Sequence, residues 1–153
     1  MKWFIIIPLI VLGISGLCLL ATAANSLRIV VDRKIFLRAI DEVESGGRDA
    51  ARGAAGERGR YQLTQRVWSQ HTASPFKHAH RRDLAHAVAE QHFDWIVNQL
   101  EMAGWPADVE SVALAWNAGL TATINCRTPA SSQDYAQRVC NLYADMLKAG
   151  GAK

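Results

Sequence analysis

The residue best placed to carry chemistry is Glu44, which ends an apolar helical segment just before a glycine-rich loop. It follows Val43 directly, so it borders the buried face of that helix without lying inside it. Partial removal of water disfavours the charged form of a carboxyl group and raises its pKa. A carboxylic acid that stays protonated near neutral pH can give a proton to a leaving oxygen. A glutamate at a helix end is usually a solvated surface residue, so the case for a chemical role depends on the residues around it.

Two further segments place an amide side chain beside glycines. Residues 56–62 have the sequence Gly-Glu-Arg-Gly-Arg-Tyr-Gln, and residues 115–119 have the sequence Ala-Trp-Asn-Ala-Gly. Glycines let a backbone approach a ligand closely, and the amides of Gln62 and Asn117 can both donate to and accept from sugar hydroxyl and N-acetyl groups. The alternative for the second segment is an ordinary helix end with Asn and Gly after the last turn.

Other candidate groups indicate structure more than chemistry. His78, His80, His86 and Glu90 match no zinc-ligand spacing, so a solvated polar face is expected and no metal or other cofactor is predicted. Three tryptophans could stack on sugar rings; of these, Trp68 and Trp95 are predicted to belong to the core and Trp105 to a turn, since they follow helical spacing or precede Pro106. Four arginines near Glu44 either face substrate carboxylates or are solvated: Arg48, Arg52, Arg58 and Arg60.

Apolar spacing predicts an all-α, single-domain fold for residues 25–153. Asp32 should cap a first helix that runs to Gly46, Thr64 a short second helix that ends near His71, and Asp108 a helix that ends near Gly119. A long helix is predicted over about 83–102, and a last one, capped by Ser131, has apolar positions at Tyr135, Val139, Leu142, Tyr143 and Met146. The remaining segments are predicted as a loop at 46–60, a short extended piece at 61–63, an irregular segment at 72–82 and a loop at 120–132.

Residues 1–24 have the features of an export signal. Lys2 precedes an apolar run to Leu20, and Ala21-Thr22-Ala23 offers the small residues that a signal peptidase requires. The run is also about long enough to cross a bilayer, so the segment is either a cleaved signal peptide or a membrane anchor. Both alternatives predict export to the periplasm or cell envelope.

Charge and cysteine content fit an exported domain. The chain of 153 residues has 17 basic and 14 acidic side chains, and this mild excess without a basic aromatic stripe argues against nucleic-acid binding. Beyond the N-terminal segment two cysteines remain, Cys126 and Cys140, and such a pair in an exported domain predicts a disulfide. The alternative is two free thiols.

Taken together, these segments resemble the lytic transglycosylases of the soluble-transglycosylase type, in the lysozyme-like superfamily. That family has Glu-Ser at a helix end, here Glu44-Ser45, then Gly-x-x-Gly-Leu-Met-Gln, here residues 56–62, then Ala-Tyr-Asn-Ala-Gly, here residues 115–119. Its Tyr-Val-x-x-Val pattern resembles the segment from Tyr135 to Val139. Arg60-Tyr61 stands where the family has Leu-Met, and Trp116 where it has Tyr, which affects subsite preference more than chemistry.

The resemblance implies a small lysozyme-like domain in which one carboxyl does both proton transfers. Glu44 would protonate the glycosidic oxygen between N-acetylmuramic acid and N-acetylglucosamine in peptidoglycan glycan strands, and would then deprotonate the C6 hydroxyl that closes a 1,6-anhydro ring. It further implies that substrate or Glu44 is held by Ser45, Tyr61, Gln62, Asn117 and Tyr135. The enzyme is expected to be a monomer without a cofactor, and to meet a membrane only through an uncleaved N-terminal segment.

Two other functions stay open on the same fold. A hydrolytic lysozyme would use Asp49 or Glu57 as a second carboxylate to position water, since conventional glycosidases place two carboxyls around the bond. An inactive wall-binding accessory module would keep the groove without turnover.

Overall fold

The computed structural model describes residues 31–150, and the predicted signal peptide or anchor at 1–24 lies outside them. The elements in chain order are α1 (Arg33–Ser45), α2 (Gln65–His71), a 3-10 helix (Phe76–His80), α3 (Arg82–Met102), α4 (Val109–Ala118), α5 (Leu120–Ile124) and α6 (Ala130–Gly150). Over the described range there is no β-strand beyond two isolated bridges, so the all-α prediction is confirmed. No helix in that range has both the length and the apolar character needed to cross a membrane.

Three of the four predicted helix caps are formed. The Asp32 carboxylate accepts from the backbone N–H of Ile35 at 3.0 Å, and Thr64 and Asp108 cap α2 and α4 in the same way. At the other end of α1, Gly46 adopts a left-handed φ of 60° and its N–H returns to the last turn. That conformation carries no steric penalty for glycine, so α1 ends one residue after Glu44 and the chain turns sharply into the loop.

The core lies where α1 packs on α3 and α6, with α4 covering α6. The Phe36 ring on α1 lies 5.2 Å from Phe93 of α3 and 6.3 Å from Trp116 of α4, measured between ring centroids. Trp68 is fully buried and Trp95 packs against the core, as predicted. The start of α1 is fixed to α6, because the Asp32 N–H donates to the hydroxyl of Tyr143 at 2.9 Å. The predicted apolar face of α6 is therefore the face that holds α1.

Segment 61–63 is a turn, not the short extended piece that the sequence indicates. Gln62 has a φ of 43°, in the left-handed region, and Leu63 exchanges two backbone hydrogen bonds with Arg58 at 3.0 and 3.2 Å. A left-handed conformation is uncommon for a residue with a Cβ, so the pattern of residue types gave no sign of it.

Two segments predicted without helix contain one. The 3-10 helix occupies part of 72–82, and α5 occupies part of 120–132, each with five residues. Elements this short leave little periodic signal. The last helix begins at Ala130, with the Pro129 carbonyl accepting from the N–H groups of Ser132 and Gln133. Ser131 thus lies inside α6 and does not cap it.

The two cysteines are free thiols in this structure, which therefore does not support the predicted disulfide. Cys126 is exposed after α5. Cys140 is partly buried on α6, and burial, helped by the nearby charges of Glu110 and Asp108, raises the pKa of its thiol. A thiol with a raised pKa is a poor nucleophile at neutral pH.

Loop 46–60 is anchored by Arg60, whose side chain is buried. Its guanidinium donates to Asp49 at 2.7 Å, to Asp41 on α1 at 2.9 Å and to the Gly47 carbonyl at 3.0 Å. The glycine at position 59 is required because a Cβ there would collide with the backbone carbonyl of Ala79. The loop is thus held between the end of α1 and the 3-10 helix, and this fixes the position of Gln62.

We predict that Arg60→Met destabilises the protein by about 3 kcal/mol, because removing one member of a buried ion pair leaves its partner uncompensated. Urea denaturation of the two proteins measures the difference. Arg52→Met is the matched control, since Arg52 is an exposed arginine of the same loop, and such surface changes stay within about 0.5 kcal/mol. Equal midpoints for the Arg60 and Arg52 variants would show that the clamp contributes nothing.

Candidate active site

The structure brings Glu44 and Tyr135 together. The Tyr135 hydroxyl donates to Glu44 Oε1 at 2.8 Å, across 91 residues of sequence. Tyr135 is 4% exposed and comes from the core face of α6, whereas Glu44 is partly buried in the last turn of α1. This contact joins two of the residues that the family resemblance groups around the proton donor.

The surroundings of Glu44 keep its carboxyl partly protonated near neutral pH. Burial is the largest effect and, with the charge of Glu57, raises its pKa, while the Tyr135 hydrogen bond and the Arg138 charge lower it; the result is about 7, against an ordinary 4.5. Burial and the neighbouring Glu44 raise the pKa of Tyr135 well above its ordinary value, so the hydroxyl remains a donor. At pH 7 Glu44 is therefore present in both forms, which suits a group that must give and take a proton.

Gln62 lies in the loop beside Glu57. Its Nε2 donates to the Gly59 carbonyl at 2.7 Å, which leaves Oε1 facing Gly53. A Cβ at position 53 would collide with both the Glu57 carboxylate and Gln62 Oε1, so these two side chains lie directly over that glycine. The charge of Glu57 also contributes to the raised pKa of Glu44. Gly53 is a positioning residue that its type alone, one glycine among several, did not single out.

Asn117 reaches the site only through an intermediate residue. Its Oδ1 accepts from the Ser132 hydroxyl at 2.7 Å. Ser132 lies on α6 one turn before Tyr135, so the bond ties the end of α4 to the turn that carries the tyrosine. Ser132 was not among the predicted site residues, and its spacing of three from Tyr135 is the signal that could have found it.

Ser45 shapes the chain next to Glu44 and does not contact its carboxyl. Its hydroxyl accepts from the Arg48 N–H at 3.0 Å and donates to the Asp41 carbonyl at 3.4 Å. Ser45 is buried and its hydrogen bonds hold the turn that follows Glu44; its predicted role at the site stays a prediction.

Tyr61 is bonded to α3, and its predicted substrate-binding role stays a prediction. It is 3% exposed, and its hydroxyl shares a hydrogen bond of 2.7 Å with His86 Nδ1 on α3. This bond ties the loop to α3.

The loop arginines and Asp49 serve the loop itself. Arg60 binds Asp49, Arg48 donates to the Ser45 carbonyl at 2.7 Å, and the Arg58 guanidinium lies 5.1 Å from the centre of the Phe76 ring. Three of the four arginines considered for substrate carboxylates therefore have partners in the protein. Asp49 is tied to Arg60 and is not placed as a second catalytic carboxylate.

The histidines considered above have other partners. His78 Nδ1 pairs with the Ser74 hydroxyl at 3.1 Å, and His80 Nδ1 donates to the Lys77 carbonyl at 2.8 Å. Among residues 31–150, no three His, Cys, Asp or Glu side chains gather in a way that could hold a metal ion.

Comparison of the chain with protein-family models, with curated proteins and with solved structures gave no match.

The raised pKa of Glu44 predicts a pH-dependent cost in stability. Between about pH 4.5 and pH 7 the unfolded carboxyl ionises while the folded one keeps its proton, so the free energy of unfolding falls as pH rises through that window. Glu44→Gln removes this titration. Its free energy of unfolding should therefore rise relative to that of the wild type between pH 5 and pH 8, to a difference of about 3 kcal/mol at pH 8.

Urea denaturation at several pH values measures this difference, and the contributions of other titrating groups cancel between the two proteins. Glu42→Gln is the control, because Glu42 is exposed on the same helix. A Glu44→Gln effect that is independent of pH would show that the carboxyl has its ordinary pKa.

Proposed function

We propose that this protein is a peptidoglycan lytic transglycosylase with Glu44 as its single catalytic acid and base. The observation that carries the proposal is the half-buried Glu44 carboxyl, bonded by Tyr135 and kept near half protonation at pH 7. General acid–base catalysis is most effective when the pKa of the group lies near the working pH. One such group can first donate a proton and then accept one.

The family resemblance supplies the substrate and the lysozyme-like fold of this proposal. Its residue pattern supports it because Glu44 and Tyr135, which come from distant segments, meet at the end of α1. The residues differ in their contacts: Tyr135 binds Glu44 directly, whereas Asn117 binds Ser132 and Gln62 lies beside Glu57. Tyr61 is not included in the proposed site.

In the proposed reaction, protonated Glu44 gives its proton to the glycosidic oxygen between N-acetylmuramic acid and N-acetylglucosamine. The bond from the muramic C1 to that oxygen breaks, and N-acetylglucosamine leaves with the new O–H. The Glu44 carboxylate then takes the proton from the muramic C6 hydroxyl, whose oxygen bonds to C1 and closes the 1,6-anhydro ring. Atoms balance without water, and Glu44 ends protonated as it began.

Tyr135 is a positioning residue in this scheme. Its hydrogen bond fixes the carboxyl at the end of α1 and favours the ionised form, which is the form needed for the second step. Desolvation favours the protonated form, which is needed for the first. The proposed site works because neither effect is large enough to cancel the other.

A hydrolytic lysozyme is the second candidate, and the position of Glu57 favours it. Glu57 is the loop carboxylate whose charge acts on Glu44. With its Oε2 accepting from the Ala55 N–H at 3.0 Å, it is oriented by the backbone and could polarise a water as the second carboxyl of a glycosidase. The two reactions differ by one water in the mass of the product.

The proposed location is the periplasm or cell envelope, where the glycan strands are, with the N-terminal segment acting as signal peptide or anchor. No nucleic-acid partner and no cofactor enter the proposal.

We predict that the protein releases 1,6-anhydro muropeptides from purified sacculi, and that Glu44→Gln lowers the rate by about 100-fold or more, the usual contribution of a general acid. Mass spectrometry of the products makes the measurement, with Glu42→Gln as a control that keeps full activity. Products heavier by one water would establish the hydrolase instead. Binding to sacculi without turnover by the wild type would indicate an accessory module.

We further predict that Tyr135→Phe moves the alkaline limb of the pH profile of kcat/KM to higher pH. The first step needs protonated Glu44, so kcat/KM falls as pH rises through its pKa. Loss of the hydrogen bond removes an effect that lowers this pKa, so the limb moves up.

Tyr143→Phe is the matched control, because it removes a tyrosine hydroxyl bonded at the opposite end of α1. It should leave the limb in place even if stability falls. A limb that stays fixed in the Tyr135 variant, or moves equally in both, contradicts the assignment of that limb to Glu44.

A further inference from the structure

The Ser132 hydroxyl fixes the direction of the Asn117 amide. Ser132 lies in the first turn of α6 and is 3% exposed, whereas Asn117 lies in the last turn of α4 and is exposed. The hydroxyl of Ser132 donates to Asn117 Oδ1 at 2.7 Å, the usual length for a hydrogen bond from a hydroxyl. A buried group therefore holds one end of an exposed side chain.

The opposite orientation of this amide would leave a buried proton without an acceptor. Within residues 31–150 the Asn117 side chain is the single hydrogen-bond partner of the Ser132 hydroxyl. If Asn117 Nδ2 faced Ser132, it would donate to the hydroxyl oxygen, and the hydroxyl proton would have no acceptor. An unpaired buried donor is costly, so the oxygen of the amide is the end that faces Ser132.

This orientation decides what Asn117 offers to a ligand. An asparagine amide has an oxygen that accepts and an NH2 group with two donors. The oxygen is bound by Ser132, and among the described residues Nδ2 has no hydrogen-bond partner. The end of Asn117 that faces away from Ser132 is therefore the NH2 group, and a ligand bound there must supply an acceptor oxygen.

The same bond connects Asn117 to the part of α6 that carries Tyr135. Ser132 and Tyr135 are three residues apart and both buried, so they are neighbours on one face of the helix, with Cβ atoms about 5–6 Å apart. The Tyr135 hydroxyl in turn binds Glu44. Asn117 and Glu44 are thus bonded to successive turns of one helix.

We propose that Ser132 is a positioning residue that makes Asn117 a hydrogen-bond donor toward an acceptor oxygen of the glycan, one turn of α6 from the Tyr135–Glu44 pair. The inference rests on the part of the proposed function that makes a glycan strand the ligand. Ser132 lies outside the segments that carry the family resemblance. In this scheme Asn117 contacts the strand, and Ser132 affects binding only through Asn117.

Binding without turnover tests the proposal. Isothermal titration calorimetry on the full-length Glu44→Gln protein, with peptide-free glycan strands released from sacculi by an amidase, measures affinity separately from cleavage. In that background Ser132→Ala and Asn117→Ala should each weaken binding about 5-fold, as expected for one lost hydrogen bond. The double substitution should weaken it no further, because the two residues act as one unit. A merely structural role of Ser132 would give losses that add.

Two further variants test the direction of the amide and the specificity of the loss. Asn117→Asp keeps an oxygen for the Ser132 hydroxyl but has no N–H donor, so it should bind the strands no better than Asn117→Ala. Ser111→Ala is the matched control, because Ser111 is a buried serine six residues before Asn117 on α4. It should leave the affinity unchanged.

The proposal is overturned by any of five results. These are no binding of the strands by the Glu44→Gln protein, an unchanged affinity in Ser132→Ala, additive losses in the two alanine variants, an unchanged affinity in Asn117→Asp, or the same loss in Ser111→Ala. Failure of the proposed transglycosylase is a separate observation, since it is measured on the products of the wild type. A wild type that releases no anhydro muropeptides, with the coupled loss of binding still present, would contradict that reaction and keep the role of Ser132.

Discussion

The candidate site depends on the hydrogen bond between Tyr135 and Glu44, because it joins the end of α1 to the second turn of α6. The start of α1 is held to the same helix by Tyr143, which lies later in α6 than Tyr135. The two helices therefore run antiparallel, and the Glu44 carboxyl has a fixed position along α6. The apolar packing of Phe36 and the other core residues of α1 supplies most of the energy, and the two hydroxyls supply the register.

Removal of water favours the neutral form at two titratable residues, but their other neighbours act differently. At Glu44 burial favours the neutral acid, but Tyr135 and Arg138 oppose it, and the pKa stays near 7. At His92 burial favours the neutral ring, the neighbouring His71 and Arg66 act in the same direction, and the pKa falls to about 3. The His92 ring is stacked on Trp95 and bonded to His71 at 3.0 Å. Where the effects on the pKa oppose each other, as at Glu44, the group can exchange protons at neutral pH. Where they have the same sign, as at His92, the side chain stays neutral and only packs against its neighbours.

The sequence predicts well those features of the fold that depend on a few neighbouring residues. The caps at Asp32, Thr64 and Asp108 and the stop at Gly46 depend on local backbone geometry, and the burial of Tyr135 and Val139 follows from helical periodicity. The predictions failed where long-range contacts decide. Arg60 is buried because Asp41 and Asp49 both reach it, and nothing in its immediate neighbours indicates that. The grouping of Glu44 with Tyr135 was available only through the family resemblance, since no local rule relates residues so far apart.

Tyr61 and Gln62 are neighbours in the chain, but their side chains have different surroundings. The Tyr61 hydroxyl is bonded to His86 on α3, whereas the Gln62 side chain lies beside Glu57. Gln62 also has a left-handed φ of 43°. Such a conformation costs about 1 kcal/mol or more in a residue with a Cβ, and glycine would remove the cost. Glycine has no amide to place over Gly53, however, so the strain is retained for the side chain.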